Sequence, residues 1–285
     1  MKLKKAMKIL LVGGTSSLSK ALIPVLSKFS EVITAGRKDC DIIIDLKMPG
    51  YNYLLPNDLD VVIQTAANFG GRSNDEILEA EEVNVIGTLK LCHAAIQAKV
   101  KHFVLISTIF SIINKNSVFH SVYGLSKRHA EEMATFICLK NSLPLTILRP
   151  SQIYGNEDYY RKHQPFLYTM VDKAQKGERI TIFGSHDPLR NFIHISDLTA
   201  IIDKVIKKSI EGTYSCTQPY DISFLDIAKA VFGAFNHAPN INFLRDKTDI
   251  PDNIFEKDNS LYEIIDYYPQ ITIEEGMKRI ANYRK

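Results

Sequence analysis

The chain has 285 residues, 45% of them apolar and 24% charged, which is enough for one large or two modest hydrophobic cores and is unlike a disordered chain. Against 35 basic residues stand 32 acidic ones, a formal charge of +3, and the one basic cluster (Lys2, Lys4, Lys5, Lys8) reads as a solvated tail, so nucleic acid is not an expected partner. Cys40, Cys92, Cys138 and Cys216 form no CxxC pair and have no matched histidine spacing, which predicts neither a metal site nor a disulfide framework and fits a reducing cytoplasm.

The first apolar run, Ile9 to Val12, follows lysines but is too short for a signal peptide and stops at two glycines, so it reads as a strand. No later run approaches the roughly 20 apolar residues of a membrane span, and a soluble protein is expected. Helix is predicted near Leu18 to Lys28, strands over Glu31 to Ala35, Asp41 to Ile44 and Val61 to Thr65, and one long helix over Glu76 to Lys99. A strand over His102 to Ser107, a helix over Tyr123 to Leu139 and a strand over Leu145 to Leu148 complete the pattern. Continuous apolar strands alternating with amphipathic helices predict an α/β fold, a Rossmann-like doubly wound parallel sheet.

Beyond Pro150 the pattern is less regular, with helices near Leu198 to Lys208 and Phe224 to Phe235, and with loop signals at Gly212 and from Pro239 to Pro251. This predicts a dinucleotide-binding domain over residues 1–150 and a smaller α/β substrate lobe over 151–285, with about 190–210 returning to the first domain.

At the first strand-to-helix turn, Val12-Gly13-Gly14-Thr15-Ser16-Ser17-Leu18-Ser19, the backbone of Gly13, Thr15, Ser16, Ser17 and Leu18 is the expected pyrophosphate cradle. A GxxGxxG spacing falls on Gly13, Ser16 and Ser19, so one glycine of three is kept. Serine is small and its hydroxyl can donate to phosphate, but a positive φ at Ser16 would cost roughly 1 to 2 kcal/mol. A tight turn without ligand is the alternative. After the second strand, Gly36-Arg37 stands where an NAD-preferring enzyme carries an acid for the ribose hydroxyl. Arg37 suits a 2′-phosphate, so NADP is the expected cofactor, with NAD possible.

Tyr123-Gly124-Leu125-Ser126-Lys127 places a phenol and an ammonium on one helical face. A tyrosine with a pKa near ~10 needs a neighbouring cation to work as acid and base near neutrality. Thr108, at a strand end, is placed to hydrogen-bond the same substrate oxygen, and Ser107 is the neighbouring candidate.

These residues resemble an extended short-chain dehydrogenase/reductase of the NAD-dependent epimerase/dehydratase family. The resemblance runs from about Lys8 to the carboxyl terminus through Asp45-Leu46, Thr65-Ala66-Ala67, Asn84 to Thr88, Tyr123 to Lys127 with Glu131, Leu148 to Gly155, Arg190 to Leu198, and Pro269 to Gly276. It implies a catalytic set of Thr108, Tyr123 and Lys127, with Lys127 also holding the nicotinamide ribose. It further implies that Asp45, Leu46, Thr65, Ala66 and Ala67 line the adenosine and ribose side, and that Asn84 supports the active site. Gln152 and Arg190 would meet a nucleotide-sugar substrate, Arg190 at its diphosphate, with a structural ion pair as the alternative for Arg190. Family members commonly form homodimers through the helices near Asn84 to Lys99 and Tyr123 to Leu139.

Dehydratases of this family carry Thr-Asp-Glu, because elimination needs proton transfers at two further carbons. Here Ile109 and Phe110 follow Thr108, which argues against a 4,6-dehydratase, and no cysteine stands there as in the enzymes that make GDP-fucose. The segment between Thr108 and Tyr123 is also short for a sugar epimerase. The expected activity is therefore reduction of a nucleotide-sugar 4-keto group, with a C4 epimerase retaining NAD, or a non-catalytic dinucleotide-binding scaffold, as alternatives.

Overall fold

The computed structural model describes residues 6–50 and 53–285. Lys2, Lys4 and Lys5 of the basic cluster lie outside the described residues. Lys8 is ion-paired, with Asp58 at 2.6 Å and Glu31 at 3.6 Å.

In chain order the elements begin β1 (Met7–Val12), α1 (Ser17–Leu26), β2 (Ser30–Gly36), β3 (Ile42–Ile43), β4 (Val61–Gln64) and α2 (Asn74–Glu81). They continue with a π-helical turn (Glu82–Ile86), α3 (Gly87–Gln97), β5 (His102–Ile106), a 3-10 turn (Ile109–Ile112), α4 (Val122–Lys140) and β6 (Leu145–Pro150). Then come β7 (Gln152–Tyr154), α5 (Pro165–Gln175), β8 (Ile180–Phe183), β9 (Leu189–Arg190), β10 (Phe192–His194) and α6 (Ile195–Lys208). The last are β11 (Gly212–Cys216), β12 (Ile222–Ser223), α7 (Phe224–Ala234), β13 (Ile241–Leu244), α8 (Ser260–Ile265) and α9 (Ile273–Tyr283).

The chain divides into two compact units, one of Met1–Pro150 with Thr199–Ser215 and one of Ser151–Leu198 with Cys216–Lys285. The first is built on a seven-stranded sheet in the order β11-β6-β5-β4-β1-β2-β3. Its order reverses at β1, whose neighbours β2 and β4 both run parallel to it, and the crevice beyond the strand ends at such a switch point is where a doubly wound sheet takes a ligand. Leu10 and Val12 of β1, Val62 of β4 and Phe103 and Leu105 of β5 pack with Leu91, Ala95, Ala134 and Cys138 of α3 and α4. Their strand neighbours Ile9, Leu11, Ile63 and Val104 are equally buried and point to the opposite face, because side chains alternate along a strand. Both faces of the sheet are thus covered, and this is why its strands read as unbroken apolar runs.

The helix expected over Glu76 to Lys99 is three segments. Ser73 caps α2 reciprocally with Glu76, and the π-helical turn then interrupts the spiral before α3. One extra residue per turn there rotates Asn84 into the interior, and such turns are frequent at functional sites. The second unit holds three two-stranded pairings, β7 with β10, β9 with β12 and β8 with β13. The Pro239 to Pro251 stretch, expected as loop, contains β13, which runs parallel to β8 from Ile241 opposite Ile180 to Leu244 opposite Phe183.

Candidate active site

At the turn from β1 to α1, Gly13 alone takes the left-handed backbone, with φ of +87°, and a Cβ there would come within 2.6 Å of the Ala66 nitrogen. Ser16 does not carry the strain weighed from sequence. It is extended (φ −66°, ψ 158°) and is the N-cap of α1, accepting from the Ser19 backbone N–H. The hydroxyls of Ser16, Ser19 and Thr65 lie within 2.8 to 3.0 Å of one another, and Thr65 donates to the Val12 carbonyl at 3.0 Å. The serines that replace family glycines therefore tie the turn to the end of β4 and direct their hydroxyls inward. Ser17 and Leu18 open α1, where the N–H groups have no carbonyl partner inside the helix and the dipole favours an anion. A glycine that no larger residue can replace, beside a helix N-terminus, fits a dinucleotide pyrophosphate. Thr15 is exposed on the same turn.

Arg37 is exposed just past the end of β2. Asp45 accepts from the Lys47 backbone N–H at 3.0 Å, and its carbonyl accepts from Tyr53 Oη at 3.0 Å. Leu46 is buried, while Ala66 and Ala67 are half-buried at the end of β4.

The residues expected from sequence as the acid/base set belong to α4 and the loop before it. Ser121 caps this helix, accepting from the Gly124 N–H. A Cβ on Gly124 would meet the Phe110 carbonyl oxygen at 2.6 Å, so the glycine within Tyr-x-x-x-Lys is what lets the helix lie directly on the 3-10 turn begun by Thr108. Arg128 completes the junction, donating to the carbonyls of Ser111 at 2.5 Å and Ile113 at 2.6 Å. Thr108 is buried and extended, and its hydroxyl oxygen accepts from the Phe110 N–H at 3.3 Å, which leaves the hydroxyl proton to donate.

Lys127 is fully buried and donates to the Ile106 carbonyl at 2.7 Å. Burial lowers its ammonium to about 8, against an opposing push from the Glu131 carboxylate. Burial also pushes the Tyr123 phenol above its ordinary value, so in this state the pair holds a neutral phenol beside an ammonium close to titration. Ser107, the neighbouring candidate in the sequence, has its hydroxyl committed: it donates to Glu131.

Sequence reasoning missed Phe69, whose ring stacks on Tyr123 with centroids 4.6 Å apart. The Asn84 carboxamide accepts from the Asn68 N–H at 2.8 Å and donates to the Asn68 carbonyl at 2.7 Å and to Ser126 Oγ at 2.8 Å. It holds the backbone of Asn68, the residue just before Phe69, on both sides. The only sequence signal for this was the position of Asn68-Phe69-Gly70 after β4.

In the second unit, Gln152 is half-buried and donates to the Gln164 side chain at 3.0 Å, while its Oε1 is buried without a partner. Arg190 is buried, donates to the carbonyls of Leu189 and Pro251 at 2.7 and 2.8 Å, and lies 4.8 Å over the Phe224 ring. Burial lowers its guanidinium's affinity for the proton. Asp197, from the same motif, accepts from Tyr267 Oη and from the backbone N–H groups of Gln270 and Ile271, a structural clasp. Among the described residues no group is suited to hold a metal ion and no helix is long and apolar enough to cross a membrane.

The chain is 26% identical over 195 residues to a dTDP-D-glucose 4,6-dehydratase of Dictyostelium discoideum, covering 61% of this chain and 44% of that protein. To a dTDP-4-dehydro-6-deoxy-D-allose reductase of Streptomyces bikiniensis it is 24% identical, over 56% of this chain and 49% of that one. It thus spans about half the length of these two relatives. A crystal structure of UDP-glucuronic acid 4-epimerase from Bacillus cereus in complex with NAD superposes with a TM-score of 0.77 at 22% identity, over 97% of this chain and 98% of that one, and shares its fold. The profile of the NAD dependent epimerase/dehydratase family matches residues 9–216. With a Rossmann-like parallel sheet, a single positive-φ glycine at the turn from β1 to α1 and Tyr-x-x-x-Lys on α4, the chain belongs to the NAD dependent epimerase/dehydratase family.

Proposed function

We propose that this protein reduces the 4-keto group of a nucleotide-sugar, with Tyr123 as proton donor, Thr108 as second donor to the same oxygen and Lys127 as the cation beside them. The observation that carries the reading is the 3-10 turn after Thr108, where Ile109 and Phe110 occupy the two positions from which elimination draws its acid and base. Simple carbonyl chemistry needs neither. The dinucleotide, when bound, supplies the hydride.

The chain's residues do the rest. Gly13, Thr15, Ser16, Ser17 and Leu18 would hold the pyrophosphate, and Asp45, Leu46, Thr65, Ala66 and Ala67 the adenosine side. Arg37, exposed just past the end of β2 where an NAD-preferring enzyme carries an acid, favours NADP over NAD. The hydroxyls of Thr108 and Tyr123 orient the ketone oxygen, and the phenol gives up its proton to that oxygen as the alcohol forms. The Lys127 ammonium lowers the cost of the phenolate left behind and holds the nicotinamide ribose. Arg190 and Gln152 would meet the substrate's diphosphate and sugar.

A homodimer accords with the exposed apolar stripe of Met133, Phe136 and Leu139 on α4 and with Leu78 and Ile86 on the adjoining helical run. Free cysteines accord with a reducing cytoplasm.

Purified protein mixed with UDP-, GDP-, CDP- or dTDP-4-keto-sugars and NADPH or NADH tests this reading. One reduced dinucleotide consumed per alcohol formed supports it. Inversion at C4 with retained NAD and no added cofactor would make the protein an epimerase instead. Formation of a 4-keto-6-deoxy product from a nucleotide-hexose would make it a dehydratase.

A further inference from the structure

Glu131 follows Lys127 by four residues, one turn along α4, and its side chain is 5% exposed. Arg149 of β6 meets it with two nitrogens: Nε lies 3.1 and 3.0 Å from its two oxygens and Nη2 lies 2.5 Å from Oε2. Ser107 donates to the other side of the same carboxylate. Helix α4 thus grips the end of β5 at two successive residues, through Lys127 on the Ile106 carbonyl and through Glu131 on the Ser107 hydroxyl. Thr108 is the next residue along.

An ion pair with its carboxylate buried is a poor way to gain stability, since apolar groups of the same volume serve as well or better. Its presence here, one turn from a dehydrated ammonium, calls for another account. Among the described residues α3, packed on α4, carries Lys90, which donates to the Met48 carbonyl, and His93; nearer Lys127 the charged groups are few. On its own helix they are Tyr123 and Glu131, and β6 contributes Arg149. β5 presents the Ile106 carbonyl, its one ionisable side chain, His102, being at the far end and bonded to Thr146. The 3-10 turn carries no ionisable residue. The π-helical turn presents neutral Asn84 and has Glu82 exposed at its start, while Glu81, just before it, pairs with His129.

We infer that Glu131 is a positioning residue that keeps Lys127 charged and, through Ser107, fixes the strand end bearing Thr108, with Arg149 orienting the carboxylate for both tasks. The inference rests on reading Tyr123 and Lys127 as the acid/base pair. Of the acidic side chains near Lys127, Glu131 is the one whose charge bears on the ammonium, opposing the burial that otherwise strips its proton. Without it, the ammonium that makes a phenolate affordable would be lost at lower pH.

The test uses the full-length protein labelled with 13C at the lysine ε-carbons, with the Lys127 resonance assigned by Lys127→Met and followed through a pH titration. In Glu131→Gln the Lys127 midpoint is expected to fall by about one pH unit, a tenfold loss of charged form at fixed alkaline pH. The alkaline limb of kcat/KM with NADPH should follow it. Glu131→Asp, which keeps the charge, should leave the limb near its wild-type position even where kcat drops. Should Glu131→Gln fail to fold, Glu131→Met removes the same charge, leaves the partly exposed Arg149 to water and tests the same shift. An unmoved Lys127 midpoint in either folded variant overturns the inference. A midpoint that falls in a protein showing no dinucleotide-dependent turnover leaves the inference standing and sinks the functional reading instead.

Discussion

Phe69 lies face to face with Tyr123, ring planes 29° apart, and is still about half exposed. Behind the ring, Asn84 holds both backbone polar groups of the preceding residue, Asn68. Phe69→Ala should therefore loosen the phenol and let water reach it. We expect kcat/KM to fall by roughly tenfold or more, since small misplacements of a reacting group are costly, while dinucleotide affinity stays near wild type. The raised phenol should also titrate closer to its ordinary value. Unchanged kinetics in this variant would remove Phe69 from the site.

Gly13→Ala sets a Cβ 2.6 Å from the Ala66 nitrogen at a residue with φ of +87°. The turn must move, so dinucleotide binding should drop sharply and the melting temperature should fall. Fluorescence titration with NADPH and a thermal melt check both. An alanine variant that binds normally would show that the turn is not the phosphate cradle.

Restoring the family's glycines should harm the protein. Ser16→Gly or Ser19→Gly removes one corner of the hydroxyl cluster with Thr65, and each lost hydrogen bond costs about 1 kcal/mol. Denaturant unfolding of each variant is expected to show that loss with no gain in cofactor affinity. A tighter, more stable glycine variant would mean that the serines are mere erosion.

His194 accepts from the Ser196 N–H through Nδ1, and its Nε2 therefore donates to Asn156 Oδ1. That tautomer is neutral, and burial lowers the imidazole to about 4 from an ordinary 6.5. Because the unfolded chain takes up the proton first, stability should be lost as pH falls from 6.5 to about 4. The full loss from this residue is roughly 3 kcal/mol, and unfolding curves for wild type and His194→Gln across that range should converge in slope if another group is responsible.

Much of this was legible in the sequence. The apolar strands gave the parallel sheet, and helix α4 spans Val122–Lys140 against an expected Tyr123 to Leu139. What escaped were features set by tertiary contact. The π-helical turn leaves no mark in a periodic pattern, and β13 pairs with β8 across 61 residues (241 minus 180), from a stretch whose prolines read as loop. From sequence Thr108 was the expected donor and Ser107 the neighbouring candidate, with no contact to tell the two hydroxyls apart. The buried carboxylate of Glu131 separates them, holding the Ser107 hydroxyl, while Thr108 accepts from the Phe110 N–H and keeps its own proton to donate.

In the proposed ketone reduction Tyr123 donates the proton. This step is tested most directly by comparing wild type with Tyr123→Phe for NADPH-dependent reduction of the 4-keto-sugar that the screen selects, with NADPH binding measured on the same samples. Turnover should fall by about 10²- to 10⁴-fold with dinucleotide affinity retained. Undiminished turnover in Tyr123→Phe would contradict it.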